Sequence, residues 1–256
     1  MNKKTIKKSS IAQAWLLISA VILTSLTSFM LMGDIRFFPS LDLSSNTAQF
    51  YYWITETASF PFAIITTFII LLFCAIRIPK PLLKQLILTL ALSLILSLGL
   101  GQLIKIITKE IRPNIALMSH YHLLNIDTFT HSNKSARQES ITQAIPKLKA
   151  IDPNIQLSSN ITKHWQSTTN YAFPSGHMTF AVTLTLVVNY YLILSGATLV
   201  PILLMIWSVL MGLSRLFLGL HWPQDILAAT LLSIICVTTG LYFIGKYLNA
   251  SHSVSP

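Results

Sequence analysis

Uncharged, largely apolar runs recur along the chain at 11–32, 58–76, 86–104, 178–213 and 226–245. A hydrocarbon core of roughly 30 Å is crossed by about 20 helical residues, so four of these runs correspond to one span each. The run from Met178 to Leu213, at 36 residues, is too long for one, and Ser195-Gly196 stands where a tight turn divides it. The pattern therefore predicts an all-α integral membrane protein of one domain, 1–256, with six transmembrane helices at about 11–32, 58–76, 86–104, 178–195, 197–213 and 226–245. The only long polar stretch lies between the third and fourth helices. Connections of that length usually carry structure or function, and 114–171 is expected to form a small, mostly helical cap outside the membrane, with a helix near 138–150 ended by the Asp152-Pro153 turn. No internal repeat or heptad array is visible.

Composition agrees with this pattern. Hydrophobic residues make up 53% and charged residues 10%, with a mean hydropathy of +0.63, against roughly 25% charged in soluble domains, which excludes a soluble globular enzyme. A net charge of +10 would suit either nucleic acid or anionic lipid, and the position of the charges favours lipid. Lys3, Lys4, Lys7, Lys8, Arg77, Lys80, Lys84 and Lys246 fall on one side of the predicted helices with no acid among them, which makes that side cytoplasmic and puts both termini there. The eight acids, Asp34, Asp42, Glu56, Glu110, Asp127, Glu139, Asp152 and Asp225, fall on the other side. Met1 to Ser10 and the long apolar run after it suit an uncleaved anchor better than a secretory signal. Cys74 and Cys236 lie inside predicted spans and suit packing better than a disulfide or a metal site.

Polar residues with chemical potential cluster at helix ends on the acid-bearing side. Lys105 and Arg112 are seven residues apart, about two helical turns, so both cations can share one helical face and clamp a phosphoryl group; interfacial anchoring is the alternative. Phe173-Pro174-Ser175-Gly176-His177 precedes an apolar helix whose free N–H groups would face an anion, with Gly176 permitting close approach and His177 able to donate a proton. An ordinary Ser-capped helix start explains the same tetrapeptide equally well. Ser214-Arg215-x5-His221-Trp222-Pro223-Gln224-Asp225 is the strongest signal, because Pro223 suits the first turn of a helix and Asp225 falls within reach of His221. A carboxylate on one ring nitrogen would leave the other free as a nucleophile. Dipole complementation by Asp225 and an interfacial His221 are each plausible singly but poor jointly. His120 and His122 stand without further ligands and read as loop histidines. Glu56 reads either as an interfacial helix start or as a partner for a headgroup or a site cation.

The three segments, K-x6-R-P, P-S-G-H and S-R-x5-H-x3-D, resemble in order and spacing the signature of the type 2 phosphatidic acid phosphatase superfamily at every signature position. Within it, Trp53 to Thr57, Gly101-Gln102, His164-Trp165-Gln166, Ala172-Phe173 and Gly219 to Pro223 look like the bacterial phosphatidylglycerophosphatase B group. The resemblance implies a membrane phosphatase that works without metal or other cofactor, through a phosphohistidine, on lipid phosphates at the outer face of the inner membrane. It makes His221 the nucleophile, Asp225 its orienting carboxylate and His177 the general acid. Lys105, Arg112, Ser175, Gly176 and Arg215 become the phosphate binders. The linker after Gly101-Gln102 is about one turn shorter than in that group, which makes Lys109 a rival to Lys105, although the seven-residue offset to Arg112 favours Lys105. Phosphatidylglycerol phosphate is the substrate the likeness leans toward, and undecaprenyl pyrophosphate is the alternative. Neither nucleic acid nor an obligate protein partner is implied. A lipid-binding or transport module is the rival from another class, but transporters place ionisable groups near the bilayer midplane, and mid-helix charge is absent here.

Overall fold

In the computed structural model, residues 3–35, 37–39 and 42–253 are described, with side chains at 8–25, 27–35, 37–39 and 42–247. Met1 and Asn2, from the predicted anchor, lie outside them, as do the side chains of Lys3, Lys4 and Lys7. The described residues form eleven helices: α1 (Lys3–Met32), α2 (Asn46–Glu56), α3 (Phe62–Arg77), α4 (Lys80–Thr108), α5 (Pro113–His120), α6 (Ile126–His131), α7 (Lys134–Ile151), α8 (Ser159–Ser167), α9 (Gly176–Leu194), α10 (Leu199–Phe217) and α11 (Pro223–Ser253).

Five segments are long and apolar enough to cross a membrane: Lys8–Met32, Lys80–His120, Gly176–Leu194, Leu199–Phe217 and Pro223–Tyr247. The sequence pattern predicts six. The missing one is the 58–76 run, which forms α3 with 16 residues, roughly 24 Å at 1.5 Å per residue. Proline fences α3 on both sides. Pro61 precedes its first residue, and Ile78, just before Pro79, is extended at φ −107° and ψ 131°, the conformation proline imposes on its predecessor. At Ser195-Gly196 the chain does turn, with Gly196 at φ +90°.

Helix α9 is the hub. It is apolar on all sides, as a helix enclosed by others must be, and α4, α10, α11 and α1 all pack on it. Its few polar side chains meet polar partners on those neighbours. Thr183 pairs with Ser97 of α4 at 3.2 Å, Tyr191 with Thr89 of α4 at 2.9 Å and Thr185 with Ser208 of α10 at 2.7 Å, while Ser233 of α11 donates to the Thr179 carbonyl at 3.2 Å. In an apolar surrounding such pairs contribute about 0.6–2 kcal/mol each. Between α11 and α4 the backbones approach so closely that a Cβ on Gly240 would collide with Ser93 Oγ. A second apolar cluster, which includes Met118, Ile141, Leu148, Ile161 and Trp165, joins α5, α7 and α8 to the turn after α10. The segment between α4 and α9 is thereby attached directly above the ends of the helices that carry the polar signature.

Candidate active site

Each signature side chain is set by the way a helix starts or stops. Helix α10 ends in a Schellman turn. Gly219, at φ +67°, donates to the Leu216 carbonyl at 3.2 Å, and Leu220 donates to the Arg215 carbonyl at 3.0 Å. A Cβ at Gly219 would also strike the ring of Phe38. The turn delivers His221 to the start of α11, where Pro223 occupies the first helical position. There Asp225 reaches back in the manner of a capping box, accepting from Trp222 N at 2.9 Å. The same oxygen, Oδ2, lies 3.0 Å from His221 Nδ1. His221 and Asp225 are both buried. With the proton of Nδ1 directed at Asp225, the lone pair of His221 is on Nε2, and Arg112 Nη1 lies 3.0 Å from it. Burial and then the positive charges of Arg112, Arg215 and Lys105 push the His221 pKa well below its ordinary value, so the ring is neutral at neutral pH.

Ser175 caps α9, accepting from Met178 N at 3.4 Å, and its own N–H donates to the Asp225 carbonyl at 3.1 Å. The Pro-Ser-Gly-His segment and the His-Asp segment are thus joined through backbone. At Gly176 a Cβ would meet nothing within 4 Å. The glycine leaves this helix start open to whatever enters the adjoining space. His177 Nε2 lies 3.0 Å from Ser59 Oγ in the α2–α3 turn.

Lys105 and Arg112 converge by a route other than a shared helical face. Helix α4 stops at Thr108, Lys109 takes a left-handed conformation at φ 49°, and Arg112 caps the separate helix α5. Both cations nevertheless meet at one carbonyl. Lys105 Nζ donates to Tyr171 O at 2.8 Å, Ala172 O at 3.2 Å and Pro174 O at 2.8 Å. Arg112 donates to Tyr171 O at 3.2 Å, and also to Asn170 O, Asn170 Oδ1 and Leu220 O. Lys109 is exposed, whereas Lys105 is buried and lines the same cleft as Arg112. Replacing Lys105 by Met would take this donor from the Ala172 and Pro174 carbonyls and leave Tyr171 O to Arg112, at about 1–3 kcal/mol for each group left buried and unsatisfied. Lys105→Met is therefore expected to lower the melting temperature in detergent clearly while Lys109→Met leaves it unchanged; equal melting of the two variants would show that these carbonyl contacts do not stabilise the fold.

Lys105, Arg112, Gly176, His177 and His221 line one cleft of about 800 Å³, whose rim carries Phe60 and the hydroxyl-bearing Ser167 to Thr169. Ser175 and Asp225 stand behind that lining. Arg215 is fully buried; its Nη1 lies 3.3 Å from His164 Nε2, and its Nε and Nη2 have no partner among the described residues. A guanidinium that keeps two donor nitrogens unengaged inside the protein is suited to an anion. Eight signature residues from α4, α5, α9, α10 and α11 and the turns between them thus assemble at one place.

The residues 86–248 match the model of the PAP2 superfamily. The chain belongs to the PAP2 superfamily. Among its relatives, phosphatidylglycerophosphatase B of Escherichia coli K12 is 31% identical over 195 residues, 74% of either chain. The Haemophilus influenzae protein of the same name is 32% identical over 201 residues, 74% of this chain and 80% of its own. Membership in the PAP2 superfamily supports a phosphatase, and the family is membrane-associated, in agreement with the five segments of this chain that are long and apolar enough to cross a membrane.

Three residues that sequence reasoning does not single out as site residues touch the signature or its neighbours: Ser59 beside His177, Asn170 on Arg112, and His164 between Glu56 and Arg215. Glu56 is the last residue of α2 rather than a helix start, and its Oε1 lies 3.1 Å from His164 Nδ1. No spacing rule links these residues. His164 precedes Arg215 by 51 positions and Asn170 follows Arg112 by 58; only the resemblance of His164-Trp165-Gln166 to the phosphatidylglycerophosphatase B group drew notice to that stretch.

Proposed function

We propose that this chain is a lipid phosphatase of the bacterial inner membrane that hydrolyses phosphatidylglycerol phosphate through a phosphohistidine on His221, without a metal. The observation that carries this reading is the His221–Asp225 pair opening on a cleft that His177, Lys105 and Arg112 also line. The names of the Escherichia coli and Haemophilus influenzae relatives support the substrate, and the distribution of basic residues supports a site on the outer face.

In this reading the phosphoryl group enters the cleft while its lipid tail stays among the exposed apolar side chains of the helices. One phosphoryl oxygen takes over Arg112 Nη1, which frees the Nε2 lone pair of His221. Nε2 then forms the P–N bond as the ester P–O bond breaks, and His177, which takes up a proton once the phosphate's negative charge has entered among the cations, gives that proton to the leaving alkoxide. Asp225 stabilises the positive charge that develops on the ring. Water completes the cycle: its oxygen attacks phosphorus, its proton passes to His177, and the P–N electron pair returns to Nε2. The products are the dephosphorylated lipid and inorganic phosphate.

The decisive measurement is phosphate release by the detergent-purified protein in EDTA, with phosphatidylglycerol phosphate and undecaprenyl pyrophosphate as parallel substrates. Preferred release from the first supports the proposal. Preferred release from the second reassigns the substrate, activity that disappears with EDTA refutes the metal-free mechanism, and no release from either lipid refutes the phosphatase reading.

A further inference from the structure

The buried Arg215 is gripped from one side only. Its Nη1 meets His164 Nε2 at 3.3 Å, while Nε and Nη2 have no partner among the described residues. A guanidinium only donates, so His164 must accept through Nε2 and carry its proton on Nδ1. Glu56 enforces that tautomer, with Oε1 3.1 Å from Nδ1. Burial, opposed by the bond to Glu56, lowers the His164 pKa and keeps the accepting form. The arrangement repeats the one at His221, where a carboxylate likewise faces Nδ1 and an arginine Nη1 faces Nε2.

Two further observations show that the pair is built rather than incidental. Glu56 ends α2, where a negative charge opposes the helix dipole, so its placement does nothing for the helix that carries it. In addition, a neighbour in sequence of each of the three members is fastened to another element of the network. Thr55, beside Glu56, and Ser214, beside Arg215, share a buried hydroxyl contact at 2.8 Å. Trp165, beside His164, donates to the Leu218 carbonyl after α10 at 2.9 Å, and the ring of Tyr52 stands edge-on to His164 at 5.9 Å. Helices α2, α8 and α10 are thereby locked around the contact.

We infer that Glu56 and His164 are positioning residues for the phosphatase reaction: they fix the Arg215 guanidinium by Nη1 so that Nε and Nη2 are presented to the phosphoryl oxygens. The pair touches neither phosphorus nor the leaving group, and it acts through Arg215 alone. This rests on the phosphate-site reading above. A pair that merely fastened α8 to α2 would affect folding but would have no energetic coupling to Arg215 in anion binding.

A double-mutant cycle on the affinity of the purified full-length protein for inorganic phosphate separates these cases. His164→Ala is expected to weaken phosphate binding about tenfold, or about 1.4 kcal/mol. Arg215→Ala should weaken it at least as much, and the double variant no further than Arg215→Ala alone. Glu56→Gln, whose amide oxygen still accepts from Nδ1, should stay within about threefold of wild type, whereas Glu56→Ala should resemble His164→Ala. Wild-type affinity in His164→Ala, or losses that add in the double variant, would overturn the inference while leaving the phosphate site intact. Unchanged binding in Arg215→Ala would overturn the phosphate-site reading and the inference with it. If His164→Ala does not fold, the same cycle run with Glu56→Ala decides.

Discussion

His221→Ala protein is expected to release phosphate on the order of 10⁴-fold more slowly than wild type, or not at all, because it lacks the atom that forms the bond to phosphorus in the proposed mechanism. The environment of His221 leaves no substitute. Its Nδ1 is engaged by Asp225, burial and three cations keep the ring neutral, and Nε2 meets Arg112 Nη1, the donor that a phosphoryl oxygen would take over, in a residue that lines the cleft. His177 lies in the same cleft, but its Nε2 meets Ser59, and it is assigned the proton rather than the phosphorus. Two controls separate chemistry from folding. His221→Asn keeps a donor near the Asp225 carboxylate, so it should melt closer to wild type while remaining as inactive as the alanine variant. Wild type quenched in alkaline detergent should yield an acid-labile, base-stable phosphoramidate that neither variant forms. Undiminished release by His221→Ala would remove His221 from the mechanism.

Asp225→Asn is the second large effect, about 10³–10⁴-fold in kcat. One carboxylate oxygen of Asp225 serves two donors, Trp222 N–H at the start of α11 and Nδ1–H of His221. The carbonyl of Asn could serve both, but its amide group would then occupy the position of Oδ1, which has no partner among the described residues. If the amide turns the other way, it presents a donor to two donors, and the tautomer of His221 is no longer specified. In either orientation the negative charge that would face the imidazolium of the proposed mechanism is gone. The loss should therefore fall on kcat, with the melting temperature reduced only modestly, because packing is unchanged. A kcat within tenfold of wild type would show that the carboxylate only caps the helix.

How far the sequence reaches is visible in this contrast. His221, Pro223 and Asp225 were legible because helix-start chemistry is local: proline, cap and carboxylate lie within five positions, and their geometry follows from helical rules. The turn at Gly196 and the helix ending at Asp152 are local in the same sense. The separation of Lys105 from Arg112 looked equally local and was read as a shared helical face, yet the left-handed residue at Lys109 divides the helix between them. Nor did spacing disclose that the Lys105 ammonium would be held by three carbonyls of 171–174. The Glu56–His164–Arg215 contact is the extreme case, with members on α2, α8 and α10 and no periodicity to relate them. Spans were legible where the apolar run was long, and α3 was overestimated because the prolines at either end act on backbone rather than on hydropathy.

The order in which the site's parts occur along the chain bears on how a cell makes it. Lys105 and Arg112 are synthesised well before the carbonyls at 170–174 that hold them, and Asp225 arrives at the threshold of the last helix. Until α11 is in place, the Ser175 N–H has no Asp225 carbonyl and the cationic residues have no Asp225 carboxylate among them. A nascent chain interrupted before that point would hold Lys105, Arg112 and Arg215 without the Asp225 carboxylate. Such a chain also lacks the packing of α11 on α1, α4 and α9, so the signature residues come together only when the last helix is in place.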